Sequence, residues 1–93
     1  MEKQIKISVI IITRNRAKEL ERNLNILKNI KGNFEVIVFD NASTDDTEQL
    51  IKNKFPHVKY IKSKSNVGPS KGRNIAVKMA QGEYLFFLMT MRF

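Results

Sequence analysis

Apolar positions fall into four short, nearly unbroken runs, and between them apolar residues recur at helical spacing. Ile7-Ser8-Val9-Ile10-Ile11-Ile12 is β-branched and almost continuous, as in a parallel strand covered on both faces. Phe34-Glu35-Val36-Ile37-Val38-Phe39 predicts a second strand. Val58-Lys59-Tyr60-Ile61 predicts a third, alternating like a half-exposed edge, and Glu83-Tyr84-Leu85-Phe86-Phe87-Leu88 a fourth. Leu20, Leu24 and Leu27 share one face of a helix over residues 17–29, with Gly32 as its stop. A second helix is expected to start at Ser43 or Thr44, with Asp45, Asp46 and Glu48 in its first turn, Leu50 and Ile51 inward and Pro56 after it. A third is expected over residues 70–80, with Ile75, Ala76 and Met79 inward and Gly82 closing it.

The order β-α-β-α-β-α-β with short connections predicts α/β architecture: a Rossmann-like, three-layer α-β-α unit on a parallel four-stranded sheet with right-handed crossovers. Ligands on such sheets bind beyond the carboxyl ends of the strands. That rule selects three loops: 13–16, 40–46 and 66–73.

Thr13-Arg14-Asn15-Arg16 follows the first strand and opens a helix, so hydroxyl, amide and guanidinium groups meet at an anion-binding position. Helix capping by Thr13 or Asn15 explains the same residues. Asp40, at the end of the second buried strand, is placed to accept hydrogen bonds from a base or ribose, whereas Ser43, Thr44 and Asp45 read as a helix start. Gly68-Pro69 sets a turn, and Lys71 and Arg73 bring positive charge to the next helix N-terminus. That loop is neither a Walker A loop nor a GxGxxG loop. His57 stands alone beside Pro56 and reads as a surface or packing residue. No His/Asp/Glu group has metal-ligand spacing, and no Ser-His-Asp or Cys-His set can be assembled.

Composition adds boundaries. The 42% hydrophobic content is that of a folded domain. There is no cysteine, which excludes disulfides and thiolate metal sites. The apolar runs at 7–12 and 84–89 are too short to cross a bilayer. A cytoplasmic protein is expected, or one peripheral to the cytoplasmic face of a membrane. The net charge of +8 favours anionic partners or simply makes a lysine-rich soluble surface. The lysines are dispersed and not interleaved with aromatics, so nucleic acid is not an expected partner.

Four motifs in order carry a resemblance: Ser8-Val9-Ile10-Ile11-Ile12-Thr13-Arg14-Asn15-Arg16; Val36-Ile37-Val38-Phe39-Asp40-Asn41-Ala42-Ser43-Thr44-Asp45; Asn66-Val67-Gly68 with Arg73-Asn74; and Gly82-Glu83-Tyr84-Leu85-Phe86-Phe87-Leu88. Together they resemble the opening of family 2 glycosyltransferases of the GT-A fold, over about residues 6–88. The resemblance implies hexosyl or related transfer from a nucleoside diphosphate sugar of UDP or dTDP type to an acceptor hydroxyl. It implies that Thr13, Asn15, Arg16, Asp40, Asn41, Ser43, Asn66, Gly68 and Arg73 bind the nucleotide, with Asp40 on the base. It also implies Mg²⁺ or Mn²⁺ on the diphosphate in full-length relatives, held by an Asp-x-Asp triplet after the fourth strand. This chain reads Met89-Thr90-Met91-Arg92-Phe93 there, so no metal ligand and no catalytic residue is assigned to it. The expectation is therefore a partial GT-A domain over residues 1–93 with an atypical tail at 89–93: a truncated donor-binding module, inactive alone. The other readings are a non-catalytic interaction module, self-associating through its apolar last strand, and a small nucleic-acid binder.

Overall fold

The computed structural model describes residues 5–90. The elements are β1 (Ile7–Thr13), α1 (Ala17–Lys28), β2 (Phe34–Asp40), α2 (Thr47–Lys54), β3 (Lys59–Lys62), α3 (Pro69–Val77) and β4 (Tyr84–Met89). All neighbouring strands are parallel, in the order β3-β2-β1-β4. The architecture is α/β, as the alternation predicts. Among the described residues, no helix is long and apolar enough to cross a membrane.

Strand periodicity divides the core into two layers. Val9 and Ile11 of β1 and Val36 and Val38 of β2 face Leu20 and Leu24 of α1 and Ile51 of α2, with Phe55. Ile10, Ile12, Ile37 and Phe39 point the other way and pack on Ala76 of α3. The two inner strands are buried on both faces, which is why they are continuous in β-branched and aromatic residues. Two crossovers therefore run on one face and the third on the other. Sheet growth reverses at β1, and the switch point lies between β1 and β4.

The return from α3 to β4 is held by buried polar groups at the amino end of the sheet. Ser8 Oγ donates to Glu35 Oε2 at 2.6 Å, and Gln81 N–H donates to the same oxygen at 2.7 Å. Lys59 Nζ lies 2.7 Å from Glu35 Oε1, and Gly82 N–H donates to Ser8 Oγ at 2.9 Å. Burial works against the Glu35 charge, but the bonds from Lys59, Ser8 and Gln81 outweigh it and hold the carboxyl below its ordinary value.

Several details differ from the sequence expectations. α2 starts at Thr47, not at Ser43 or Thr44, and the groups expected to cap it are engaged elsewhere. Asp45 Oδ1 accepts from Thr47 N–H at 3.1 Å and from Thr47 Oγ1 at 2.5 Å. α3 ends at Val77, so Gly82 does not close it, and Met79 beyond its end is 45% exposed rather than inward. β3 begins one residue later than expected and ends at Lys62. Within the expected tail, Met89 ends β4 and Thr90 is buried; residues 91–93 lie outside the described part.

Candidate functional site

Thr13 and Asp40 end the two central strands and are register partners, so the carboxyl end of the sheet places a hydroxyl beside a carboxylate. Both are fully buried. Thr13 Oγ1 accepts from Thr90 Oγ1 at 2.8 Å, and Thr90 N–H donates to Ile12 O at 3.1 Å. Thr90 thus closes the switch-point crevice between β1 and β4. Asp40 Oδ1 accepts from Ser43 N–H at 2.9 Å, and Oδ2 accepts a short bond from the Tyr60 hydroxyl. Burial and the neighbouring carboxylate push the Tyr60 phenol well above its ordinary range, so it remains a donor.

Asn41 ties this corner to the third loop. Its N–H donates to Thr13 O at 2.8 Å, its Nδ2 to Gly68 O at 3.0 Å, and its Oδ1 accepts from Val67 N–H at 2.8 Å. Asn66 Oδ1 accepts from Gly68 N–H at 2.9 Å. Gly68 then starts α3 with φ +84°, a conformation suited to glycine, and Pro69 fits the first helical turn.

The first loop grips the second. Arg14 Nη1 donates to Asn41 O at 2.8 Å and Ala42 O at 3.0 Å. Asn15, at φ 51°, donates its N–H to Ser43 Oγ at 2.8 Å, and its Oδ1 accepts from Thr44 N–H at 2.7 Å and Asp45 N–H at 3.2 Å. The expected cap of α1 by Thr13 or Asn15 is not made. Asp45 Oδ2 accepts from Ala17 N–H at 3.3 Å instead. Arg16, next to that helix start, pairs with Glu19.

Thr13, Asn15, Asp40, Asn41, Ser43, Asn66 and Gly68 therefore form one interlocked cluster. Arg16 borders it. Arg73 does not join it: it is exposed, one turn into α3 on the opposite face from Asp40 and Tyr60, with its guanidinium carbon 5.3 Å from the centre of the Phe87 ring. Tyr60, Thr90 and Arg14 hold the cluster in place without a signal for that role in the sequence. Tyr60 reads as an ordinary edge-strand residue, although its alternation with Ile61 turns it to the Asp40 face.

A shallow groove of about 350 Å³ opens beside Asp40, lined by Ala42, Ser43, Thr44, Lys62, Ser63 and Lys64. Its lysines differ: Lys62 is paired with Glu48 at 2.9 Å, and Lys64 brings positive charge to the rim. A cavity of about 630 Å³ at the amino end of the strands is lined by Leu24, Leu27, Phe34, Phe55 and Val58 among others, and lies away from this cluster. Among the described residues, no group of three or more His, Cys, Asp or Glu could hold a metal ion. At the end of β4 stand a thioether and a hydroxyl already bonded to Thr13, a donor set that does not fit Mg²⁺ or Mn²⁺.

The glycosyl transferase family 2 model matches residues 8–88. The poly(ribitol-phosphate) beta-N-acetylglucosaminyltransferase TarS of Staphylococcus aureus is 40% identical over 91 residues, 90% of this chain and 16% of that protein. The crystal structure of TarS 1–349 in complex with UDP superposes with a TM-score of 0.82 at 36% identity, covering 91% of this chain and 27% of that one. A mannosyltransferase of Pyrobaculum calidifontis, solved with GDP-Man and Mn²⁺, gives a TM-score of 0.75 at 26% identity, covering 86% of this chain and 26% of that one. The chain spans only 14–16% of the length of the curated relatives first matched. Its parallel sheet is that of the amino-terminal Rossmann-like part of GT-A glycosyltransferases, and with the match over residues 8–88 it belongs to glycosyl transferase family 2.

Proposed function

We propose that this chain is the donor-nucleotide-binding module of a glycosyltransferase that uses a UDP- or dTDP-type sugar, and that alone it binds nucleotide without transferring sugar. The observation that carries this reading is the buried Asp40 carboxylate, oriented by Ser43 and Tyr60 at the tip of β2 beside an open groove. Each carboxylate oxygen keeps a second acceptor site after those bonds; Asp40 is fully buried and does not itself line the groove, so the wall formed by Ala42, Ser43 and Thr44 must open for a base N–H to reach it. Lys64 then offsets phosphate charge at the rim, whereas Lys62 is paired with Glu48 at 2.9 Å. The likeness to a UDP complex of TarS supports the choice of nucleotide.

Titration calorimetry with UDP tests the proposal. Asp40→Asn should weaken binding by about tenfold, the value of one charge-assisted hydrogen bond. Tyr60→Phe, which frees Asp40 while keeping the ring, should change affinity far less. Mg²⁺ or Mn²⁺ should leave the affinity within about twofold, well under the 1.4 kcal/mol that a tenfold change represents. No UDP binding by the folded wild type, or equal affinity in Asp40→Asn, would overturn the site. A large metal-dependent gain would overturn the metal-free reading alone.

A further inference from the structure

Ala42 is the strained point of the wall beside Asp40. Its φ is 64°, in the left-handed region that a Cβ disfavours and that glycine adopts freely. Arg14 holds it there. One guanidinium nitrogen, Nη1, donates to Asn41 O at 2.8 Å and to Ala42 O at 3.0 Å. These carbonyls belong to the peptide planes on either side of Ala42, so the two bonds together fix the torsions of that one residue. Among the described residues Arg14 makes no ion pair with a carboxylate, and its donors at Nη1 are spent on neutral main-chain acceptors. Ser43 comes next in the wall: its N–H donates to Asp40 Oδ1 at 2.9 Å, and its Oγ accepts from Asn15 N–H at 2.8 Å. The wall of Ala42, Ser43 and Thr44 is therefore pulled shut from the first loop, against the backbone preference of its own first residue.

We propose that Arg14 is the latch of this wall, a positioning residue that sets how often Asp40 is open to a nucleotide base. The inference rests on the nucleotide-binding reading given above. With the wall shut, Asp40 is fully buried. A base reaches it only in the minor, open state, so the apparent affinity is the intrinsic affinity scaled by the open fraction. The two latch bonds stabilise the shut state alone, because they exist only while both carbonyls converge on Nη1. The strain at Ala42 acts the other way, since it is relieved when the residue leaves the left-handed region. Arg14 and Ala42 thus bias one equilibrium in opposite directions, and replacing each should move nucleotide affinity in opposite directions.

Arg14→Met keeps the length of the side chain and removes its donors. It should raise UDP affinity about fivefold, although the loss of a positive charge by itself weakens binding of an anion. Ala42→Gly removes the strain of the shut state and should lower UDP affinity about threefold. Hydrogen exchange without nucleotide reads the latch independently. The Ser43, Thr44 and Asp45 N–H groups donate to Asp40 and Asn15, so they report opening of the wall and not merely the loss of the Arg14 bonds. Their exchange should quicken in Arg14→Met and slow in Ala42→Gly, with Ile37 and Val38 in the sheet centre unchanged. Weaker UDP binding by Arg14→Met, or exchange at residues 43–45 that keeps its wild-type rate in both variants, would overturn the latch. No UDP binding by the wild type, together with quickened exchange in Arg14→Met, would overturn the nucleotide reading and leave the latch on the wall standing.

Discussion

Glu35 and Asp40 stand at opposite ends of β2, and each is a buried carboxylate that neighbouring donors hold in place. At Asp40 the donors leave acceptor capacity beside a groove. At Glu35 they join Ser8, Lys59 and the residues before β4 in a closed clasp. Removing its charge should therefore affect stability and not nucleotide affinity. Glu35→Gln should cost about 2 kcal/mol at neutral pH, because Lys59 and the Gln81 N–H lose an ionised acceptor. The folded carboxyl lies below its ordinary value of 4.5. The wild type therefore holds this advantage above that pH and loses it as the pH falls through the folded value. Urea midpoints of the two proteins should differ at pH 7 and converge in acid. A gap that stays constant in acid would place the effect on packing instead.

Among the elements, the four strands are legible in the sequence because each is a short apolar run, and β1 and β2 could hardly lie anywhere but in the sheet centre. The starts and stops of α2 and α3 are not. Residues 40–46 hold several possible caps, and the choice among them depends on Asn15, which arrives from another loop and takes the Thr44 and Asp45 N–H groups. Of the residues nominated for the site, the strand-tip and turn positions cluster, as the rule for open sheets leads one to expect. The position of Arg73 depends on where α3 docks, which its local sequence does not encode. Gly82 reads as a helix stop, yet what it serves is close approach: a Cβ there would lie 2.6 Å from Ser8 N and 2.7 Å from Ile7 C. Gly82→Ala should lower stability by about 1–3 kcal/mol, the usual range for overpacking against backbone, measured by chemical denaturation. A neutral effect would mean that the α3–β4 connection shifts aside freely.

On the scale of the whole molecule, charge and apolar surface act against each other. Each chain carries a net charge of +8, which favours an anionic partner and opposes contact between two copies. UDP binding should therefore weaken as ionic strength rises from about 0.05 M to about 0.5 M, because the screening length shortens severalfold; titration calorimetry at the two salt concentrations checks it, and an affinity that does not move would place the binding energy in uncharged contacts.

The two borders of the sheet are unlike. β3 is four residues long and bracketed by Lys59 and Lys62, both engaged with glutamates, whereas β4 ends the sheet with bare aromatics. The β3 margin is protected by charge that is itself held in place, so stripping it with Lys59→Thr and Lys62→Thr together should make concentrated solutions turn cloudy sooner.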